Sequence, residues 1–342
     1  MSGSLVIQTS FLGDVILTTP LIAELSRRGP VDVLATPQGA SVLANNPSIR
    51  SVIRYDKRNT YGAALGTWQT IRAIRSHRPY DNVYLAQGSF RSGLLAVMTG
   101  SKSRIGFASS TGRVLYTKQL PYRPERHHAE RVWSLAMEEC ADPPTKEQIR
   151  PRLYPSDAER RAIDLLLRRN GESDAPFVAL APGSAWGTKR WPYYVELARR
   201  LGDDFRIAVI GSASDRETAT EITQALPSRS VIDGTTDLSL LASAELIGRA
   251  QAIVTNDSAP QHLASAMGTP TLTIFGPTVP EFGFGPLSER RVTAGHDSLP
   301  CRPCHRHGPQ RCPLGHWRCM RELSSDYISS LLTEVLNPPV PV

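Results

Sequence analysis

The chain has 342 residues, with 39 basic and 32 acidic side chains giving a formal charge of +7. That length exceeds one ordinary hydrophobic core and fits two domains of about 150 residues each. A positive balance disfavours basic partners and favours anionic ones: a nucleotide sugar, a phosphorylated glycolipid, a membrane surface or nucleic acid. The apolar run Leu5-Val6-Ile7 is too short for a signal-peptide core. No apolar stretch approaches the roughly 20 residues that span a bilayer. A cytoplasmic protein is expected, with peripheral contact to the inner membrane leaflet as the closest approach to lipid.

Apolar runs alternate with helical stretches from the start. The pattern reads strand Leu5 to Gln8, helix Val15 to Arg27, strand Val31 to Ala35, helix Gly39 to Asn45, strand Val52 to Tyr55, helix Gly62 to His77 and strand Asn82 to Leu85. Such alternation means a parallel, doubly wound sheet. Proline and charge interrupt it from Ala141 to Pro155, which marks a domain boundary. A second series follows: helix Ser156 to Asn170, strand Phe177 to Ala181, helix Tyr193 to Leu201, strand Arg206 to Ile210, helix Arg216 to Leu226 and a short strand at Val231-Ile232. It continues with helix Leu238 to Gly248, strand Ala252 to Thr255, helix Ala259 to Met267 and strand Thr271 to Phe275, and a last helix spans Ser325 to Leu336. The expected division is a first domain over 1–155 and a second over 156–321, with a Cys-rich basic loop at 300–321. The segment 322–342 is expected to pack back across both domains.

Two segments have the chemistry of anion binding. After the strand Phe177 to Ala181 comes Pro182-Gly183-Ser184-Ala185-Trp186-Gly187-Thr188-Lys189-Arg190-Trp191-Pro192. Its glycines let backbone approach a ligand, and Lys189 and Arg190 offer a point charge and a planar fork to phosphate oxygens. After the strand ending near Thr255 come Asn256, Asp257 and Ser258, residues that start helices, and Gly268 and Pro270 then end the helix. A helix N-terminus favours phosphate. Neither a G-x-G-x-x-G after the first strand nor a G-x-x-x-x-G-K-[ST] is present, which argues against dinucleotide redox chemistry and P-loop phosphoryl transfer.

These two segments, the Phe275-Gly276-Pro277-Thr278 that follows the second, and the N-terminal Ile7-Gln8-Thr9-Ser10-Phe11-Leu12-Gly13-Asp14 resemble the lipopolysaccharide heptosyltransferase family, glycosyltransferase family 9. The resemblance implies a GT-B fold, two Rossmann-like doubly wound domains facing across a cleft. It also implies an inverting enzyme that moves a heptose from ADP-heptose to the lipopolysaccharide inner core. It makes Asp14 the catalytic base, a role that suits a carboxylate because a sugar hydroxyl is a poor nucleophile until its proton is accepted. The same Asp14 can also serve as a helix N-cap.

Lys189 is expected on the diphosphate, where it would stabilise the leaving ADP. Ser10, Gly13, Ser184, Thr188, Ser258, Ala259 and His262 complete the expected donor and diphosphate set, with Asp257 on a donor-sugar hydroxyl or ordering the loop. Asp215 and Glu217, in the loop after the strand Arg206 to Ile210, are candidates for the ribose, and helix capping is their alternative role. The N-terminal half is rich in cations, from which Arg91, Arg104 and His127 are taken as acceptor-binding. No D-x-D stands in the cleft loops, so no metal cofactor is expected for catalysis.

Cys301, Cys304, Cys312 and Cys319 follow the spacing C-x2-C-x7-C-x6-C, with His305, His307 and His316 among them. The cluster reads either as a structural zinc site or as a loop of reduced thiols, with disulfides arising in air. The expected partners are an ADP-sugar donor and an anionic glycolipid acceptor, with no nucleic acid. Two other readings remain open: a related GT-B transferase using another nucleotide sugar, and a non-catalytic protein binding nucleotide sugar or RNA through its basic tail.

Overall fold

The computed structural model describes residues 3–56, 63–76, 79–137, 142–170, 175–227, 231–235 and 238–337. The expected ends of one helix, Gly62 and His77, and the start of the boundary segment at Ala141 lie outside them. The chain divides into two compact units, Met1–Tyr154 and Pro155–Val342.

The first unit holds β1 (Gly3–Gln8), β2 (Val31–Ala35), β3 (Ser51–Arg54), β4 (Tyr80–Leu85), β5 (Ser103–Phe107) and β6 (Lys118–Leu120), in the spatial order β3-β2-β1-β4-β5-β6. The second holds β7 (Phe177–Ala181), β8 (Arg206–Ile210), β9 (Val231–Gly234), β10 (Ala252–Asn256), β11 (Thr271–Phe275) and β12 (Arg291–Gly295), in the order β12-β11-β10-β7-β8-β9. All ladders are parallel, so helices cover both faces and the central strands are buried along nearly their whole length. Every residue of β7, β10 and β11 is buried. In each unit the chain starts at a central strand, builds outward to one side, then crosses to the other. That leaves a switch point between β1 and β4 and another between β10 and β7.

Three strands escape the sequence pattern. β5 is interrupted by Arg104, β6 is three residues long with two exposed polar side chains, and β12 buries only Ala294. β6 and β12 are edge strands, which need little hydrophobicity because one side stays wet, and β5 is the inner neighbour of β6 in the first sheet. The long helix expected over Val15 to Arg27 is split into Leu12–Leu17 and Thr19–Ser26. Pro20 has no N–H to offer the carbonyl of Ile16, and the Thr19 hydroxyl donates to it instead at 2.8 Å. The last helix, Ser325–Leu336, belongs to the second unit rather than forming a separate segment. Its Ile328, Leu332 and Val335 are buried in one cluster with Tyr194, Leu197, Leu272 and Ile274.

A polar knot ties three strands of the first unit. Asp32 of β2 is fully buried and accepts two hydrogen bonds from Arg50, at 2.9 and 2.6 Å, and one from the Tyr80 hydroxyl at 2.7 Å. Burial, then the bond to Asp32, holds the Tyr80 phenol protonated far beyond its ordinary range. Replacing Arg50 by Ala strands a buried carboxylate, and a loss of about 3 kcal/mol is expected in a urea unfolding curve. An unchanged midpoint would show that the carboxylate finds water.

Candidate active site

In the second unit the donor-binding candidates gather at the carboxyl ends of β7 and β10, beside the switch point where doubly wound sheets place ligands. β7 runs into a loop that ends in a 3-10 turn, Gly187–Lys189. β10 runs into Asp257, Ser258 and the helix Ala259–Met267, which stops at Gly268 in the left-handed conformation, φ 78°. Asn256 joins the two segments. It is fully buried, its amide donates to the carbonyl of Pro182 at 2.8 Å, and its Oδ1 accepts from the backbone N–H of Trp191 at 3.2 Å. Ser258 takes the N-cap position, but its hydroxyl turns to the carbonyl of Gly183 at 3.3 Å. No side chain therefore caps the first turn, and its backbone amides suit an anion.

Lys189 and Asp257 meet there. The ammonium donates to Asp257 Oδ2 at 2.6 Å, and the two side chains are only 9% and 10% exposed. The Thr278 hydroxyl donates to the same oxygen at 2.6 Å, and the Gln261 amide donates to Oδ1 at 3.1 Å. Of the two expected tasks for Asp257, ordering the loop is the one visible in its contacts. One of the three Lys189 N–H donors is used by this pair. Arg190 turns away, its Nε donating to the Ser184 carbonyl at 2.9 Å. His262 is buried one turn beyond Ser258, with its Nε2 3.4 Å from the Gln261 amide.

The Ser184 hydroxyl accepts from the Trp186 N–H at 3.2 Å within its own turn, which leaves its O–H free to donate. Asp215 packs against the same loop: a Cβ on Gly183 would lie 2.5 Å from Asp215 Oδ1. Its other oxygen accepts from the Ser212 N–H at 2.9 Å and hydroxyl at 3.0 Å, the capping role. Glu217 stands exposed in the first turn of the helix Arg216–Ala225.

The Cys-rich segment is docked on the Lys189 loop. Thr188 N–H donates to the Pro309 carbonyl at 3.3 Å, Gly187 N–H to Gln310 Oε1 at 3.1 Å, and the Gln310 amide to the Ala185 carbonyl at 2.8 Å. Trp186 stacks on His307 with ring centroids 6.3 Å apart. The four cysteines are free. Burial pushes the Cys319 thiol up to about 11, helped by the nearby sulfurs of Cys304, Cys312 and Cys301. Burial also acts to raise Cys312, but the backbone N–H groups of Trp317, Leu314, Gly315 and His316 outweigh it and bring that thiol below its ordinary value. Among the described residues no group of three or more His, Cys, Asp or Glu is placed to hold a metal ion, and the zinc site stays an expectation from the spacing. Cys319 is buried beside Met320, Cys301 and Cys312 are half-buried, and Cys304 is exposed.

In the first unit the loop after β1 carries Asp14 in the first turn of the helix Leu12–Leu17. It does not cap that helix; Phe11 holds the N-cap position. The Ser10 hydroxyl donates to Asp14 Oδ2 at 2.6 Å, and His128 Nε2 stands 3.5 Å from Oδ1. Ser10 thus orders the carboxylate. Gly13 lies beside Asp14 in the same turn. The loop after β4 closes the other side of the switch point, with Gln87 Oε1 accepting from the Thr9 hydroxyl at 3.3 Å. His127, taken as an acceptor ligand, holds the N-cap position of the helix His128–Trp133, its Nδ1 accepting from the Ala129 N–H at 3.2 Å. The neighbouring His128 is the one that reaches Asp14. Arg104 is engaged by the carbonyls of Leu115 and Ser101, both at 2.7 Å, whereas Arg91 is exposed at the start of the helix Phe90–Met98.

Two doubly wound parallel-sheet units, with an uncapped strand-to-helix turn in one and a carboxylate loop in the other at their switch points, have the architecture of nucleotide-handling enzymes. The family model described as glycosyltransferase family 9 (heptosyltransferase) matches residues 67–316. A relative from Pseudomonas aeruginosa, lipopolysaccharide heptosyltransferase 1, is 31% identical over 318 residues, covering 88% of this chain and 85% of its own. Lipopolysaccharide heptosyltransferase 2 of Escherichia coli K12 is 29% identical, covering 84% of this chain and 86% of its own. The solved E. coli ADP-heptose heptosyltransferase II superposes with a TM-score of 0.78 at 24% identity and covers 98% of both chains, which shows a shared GT-B-like fold. This chain belongs to glycosyltransferase family 9, and it is a glycosyltransferase.

The Lys189–Asp257 pair makes a stability prediction. Asp257→Ala leaves a buried ammonium without its counter-charge and should cost about 3–5 kcal/mol in denaturant unfolding. The double variant Lys189→Met, Asp257→Leu should lose less than that single variant. Strictly additive losses would mean that the two charges do not interact.

Proposed function

We propose that this chain transfers a heptose from ADP-heptose to the inner core of a lipopolysaccharide, with inversion at the anomeric carbon. The observation that carries the reading is the pairing of chemistries at the two switch points: a carboxylate ordered by Ser10 and His128, and a buried lysine beside an uncapped helix start. Asp14 accepts the proton of the attacking acceptor hydroxyl. The hydroxyl oxygen forms a bond to the anomeric carbon as the bond to the diphosphate breaks, and ADP leaves with the electron pair. A single displacement of this kind inverts the centre.

Lys189 and the backbone amides at Ala259 take up the negative charge that develops on the leaving diphosphate, the task a divalent ion has in other transferases. No metal cofactor is proposed for the chemistry. Thr188, Ser258 and His262 complete the donor side, with Asp215 and Glu217 toward the ribose. Arg91 and its neighbouring cations face an anionic glycolipid acceptor. Among the described residues no helix is long and apolar enough to cross a membrane, so the proposed meeting with a lipid-anchored acceptor is peripheral, at the inner leaflet.

Incubating the purified protein with a heptose-free core acceptor and a panel of nucleotide sugars, followed by mass spectrometry, should give a heptosyl adduct from ADP-heptose alone. Transfer of a different sugar would replace the donor while leaving the mechanism. Asp14→Asn should keep ADP affinity and lower turnover on the order of a hundredfold or more, because the amide cannot take the proton. Near-normal steady-state turnover would remove Asp14 as the base. Lys189→Ala should weaken ADP binding and turnover together, by roughly tenfold or more, as expected for a charge that serves both the bound and the departing diphosphate. Unchanged ADP affinity in calorimetry would move the diphosphate elsewhere. Activity should survive EDTA, and a strict magnesium requirement would contradict the scheme.

A further inference from the structure

The helix Phe90–Met98 buries Ser92, Gly93, Leu95 and Ala96 against its sheet, yet the opposite face is apolar too. Phe90, Leu94, Val97 and Met98 are 50%, 40%, 42% and 38% exposed. They stand at i, i+4, i+7 and i+8, which places them on one stripe. The 3-10 turn Arg113–Leu115 packs on this helix where Gly93 leaves room, since a Cβ there would meet Leu115 Cδ1 at 2.9 Å. It adds Val114, the most exposed of the large apolar side chains at 74%. Scattered exposed apolar residues are ordinary, but a contiguous stripe on one helix marks a contact surface.

Charge says what the contact is with. From residue 82 to residue 124 the chain contains no Asp or Glu, while Arg91, Lys102, Arg113, Lys118 and Arg123 are all exposed there. We infer that the Phe90–Met98 stripe with Val114 is a docking surface for an anionic lipid bilayer. The apolar side chains enter the boundary between headgroups and acyl chains, and the surrounding cations meet lipid phosphates. A second copy of this chain fits poorly, because a two-fold contact through this patch would bring the same cations against one another. Nucleic acid fits poorly as well, because leucine, valine and methionine offer bases no stacking face.

The inference locates the peripheral contact proposed above, and its test needs neither donor nor acceptor. The full-length protein is sedimented with vesicles of phosphatidylcholine containing about a third phosphatidylglycerol, and with pure phosphatidylcholine, at low and high salt. Binding is expected to the anionic vesicles and to weaken with salt. The double variant L94D/V97D, and separately V114D, should each bind those vesicles at least about tenfold less while keeping the wild-type melting temperature and wild-type turnover on a delipidated, water-soluble acceptor. Wild-type protein that ignores anionic vesicles overturns the inference, and so do variants that bind as the wild type does. It is equally overturned if the wild type is a dimer that L94D/V97D converts to a monomer without any vesicle binding. If the wild type binds vesicles but transfers no heptose, the proposed chemistry fails and the surface stands.

Discussion

An ammonium and a carboxylate, both almost wholly removed from water, are held 2.6 Å apart where β7 and β10 end. Such a pair costs desolvation on both sides, and attraction alone offsets that only when the remaining hydrogen-bonding capacity is met. Here it is met from separate parts of the chain. Thr278 comes from the turn after β11 and Gln261 from the helix after β10, and each donates to one Asp257 oxygen. Asp257 is thereby fixed, and through it the end of the Lys189 side chain. A lysine on an exposed loop would search many rotamers before meeting a diphosphate, whereas this one is already placed. Gly308 lies against the stem of the same side chain: its φ of 82° disfavours any other residue, and a Cβ there would stand 3.3 Å from Lys189 Cγ and Cε, close enough to push the stem.

The sheet order explains why these groups could be recruited at all. In each unit the loops after the two strands flanking the switch point diverge to opposite faces and leave a crevice between them. Asp14 follows one such strand and Gln87 the other, just as Lys189 and Asp257 divide between β7 and β10. The same architecture thus serves a carboxylate in one unit and a cation with uncapped amides in the other. The chemistry differs because the loop residues differ, while the apolar strands behind them are interchangeable in kind.

Much of this was readable before any coordinates. The apolar strands, the helix starting at Ala259 and ending at Gly268, and the loop bearing Lys189 follow from local rules of periodicity and capping, and the structure has them where the rules put them. Asp14 was singled out through its motif, and the structure sets it in the first helical turn after β1 with the Ser10 hydroxyl on one of its oxygens. The partners were not readable. Thr278 and Gln261 reach Asp257 across 21 and 4 residues, and nothing in local sequence marks a hydroxyl or an amide as a ligand of a buried acid. The approach of His128 to Asp14 was not readable either, because the two residues are far apart in the chain and nothing local marks a histidine as the neighbour of that carboxylate. Nor was it readable whether the four cysteines share a metal, because spacing describes the separation of ligands along the chain and not the direction of each sulfur in space.

Asn256 has a consequence beyond its two hydrogen bonds. By gripping Pro182 with its amide nitrogen and Trp191 with its oxygen, it fastens both ends of the Lys189 loop to the strand that leads into the Asp257 turn. The two walls of the candidate anion site are therefore one mechanical piece, and the conformational entropy of ordering them is lost during folding, when burial of the surrounding strands offsets it. A ligand arriving later has little loop ordering left to oppose it. Its affinity is set by its own charge and shape, and the heat of binding should contain almost nothing from rearrangement of the protein.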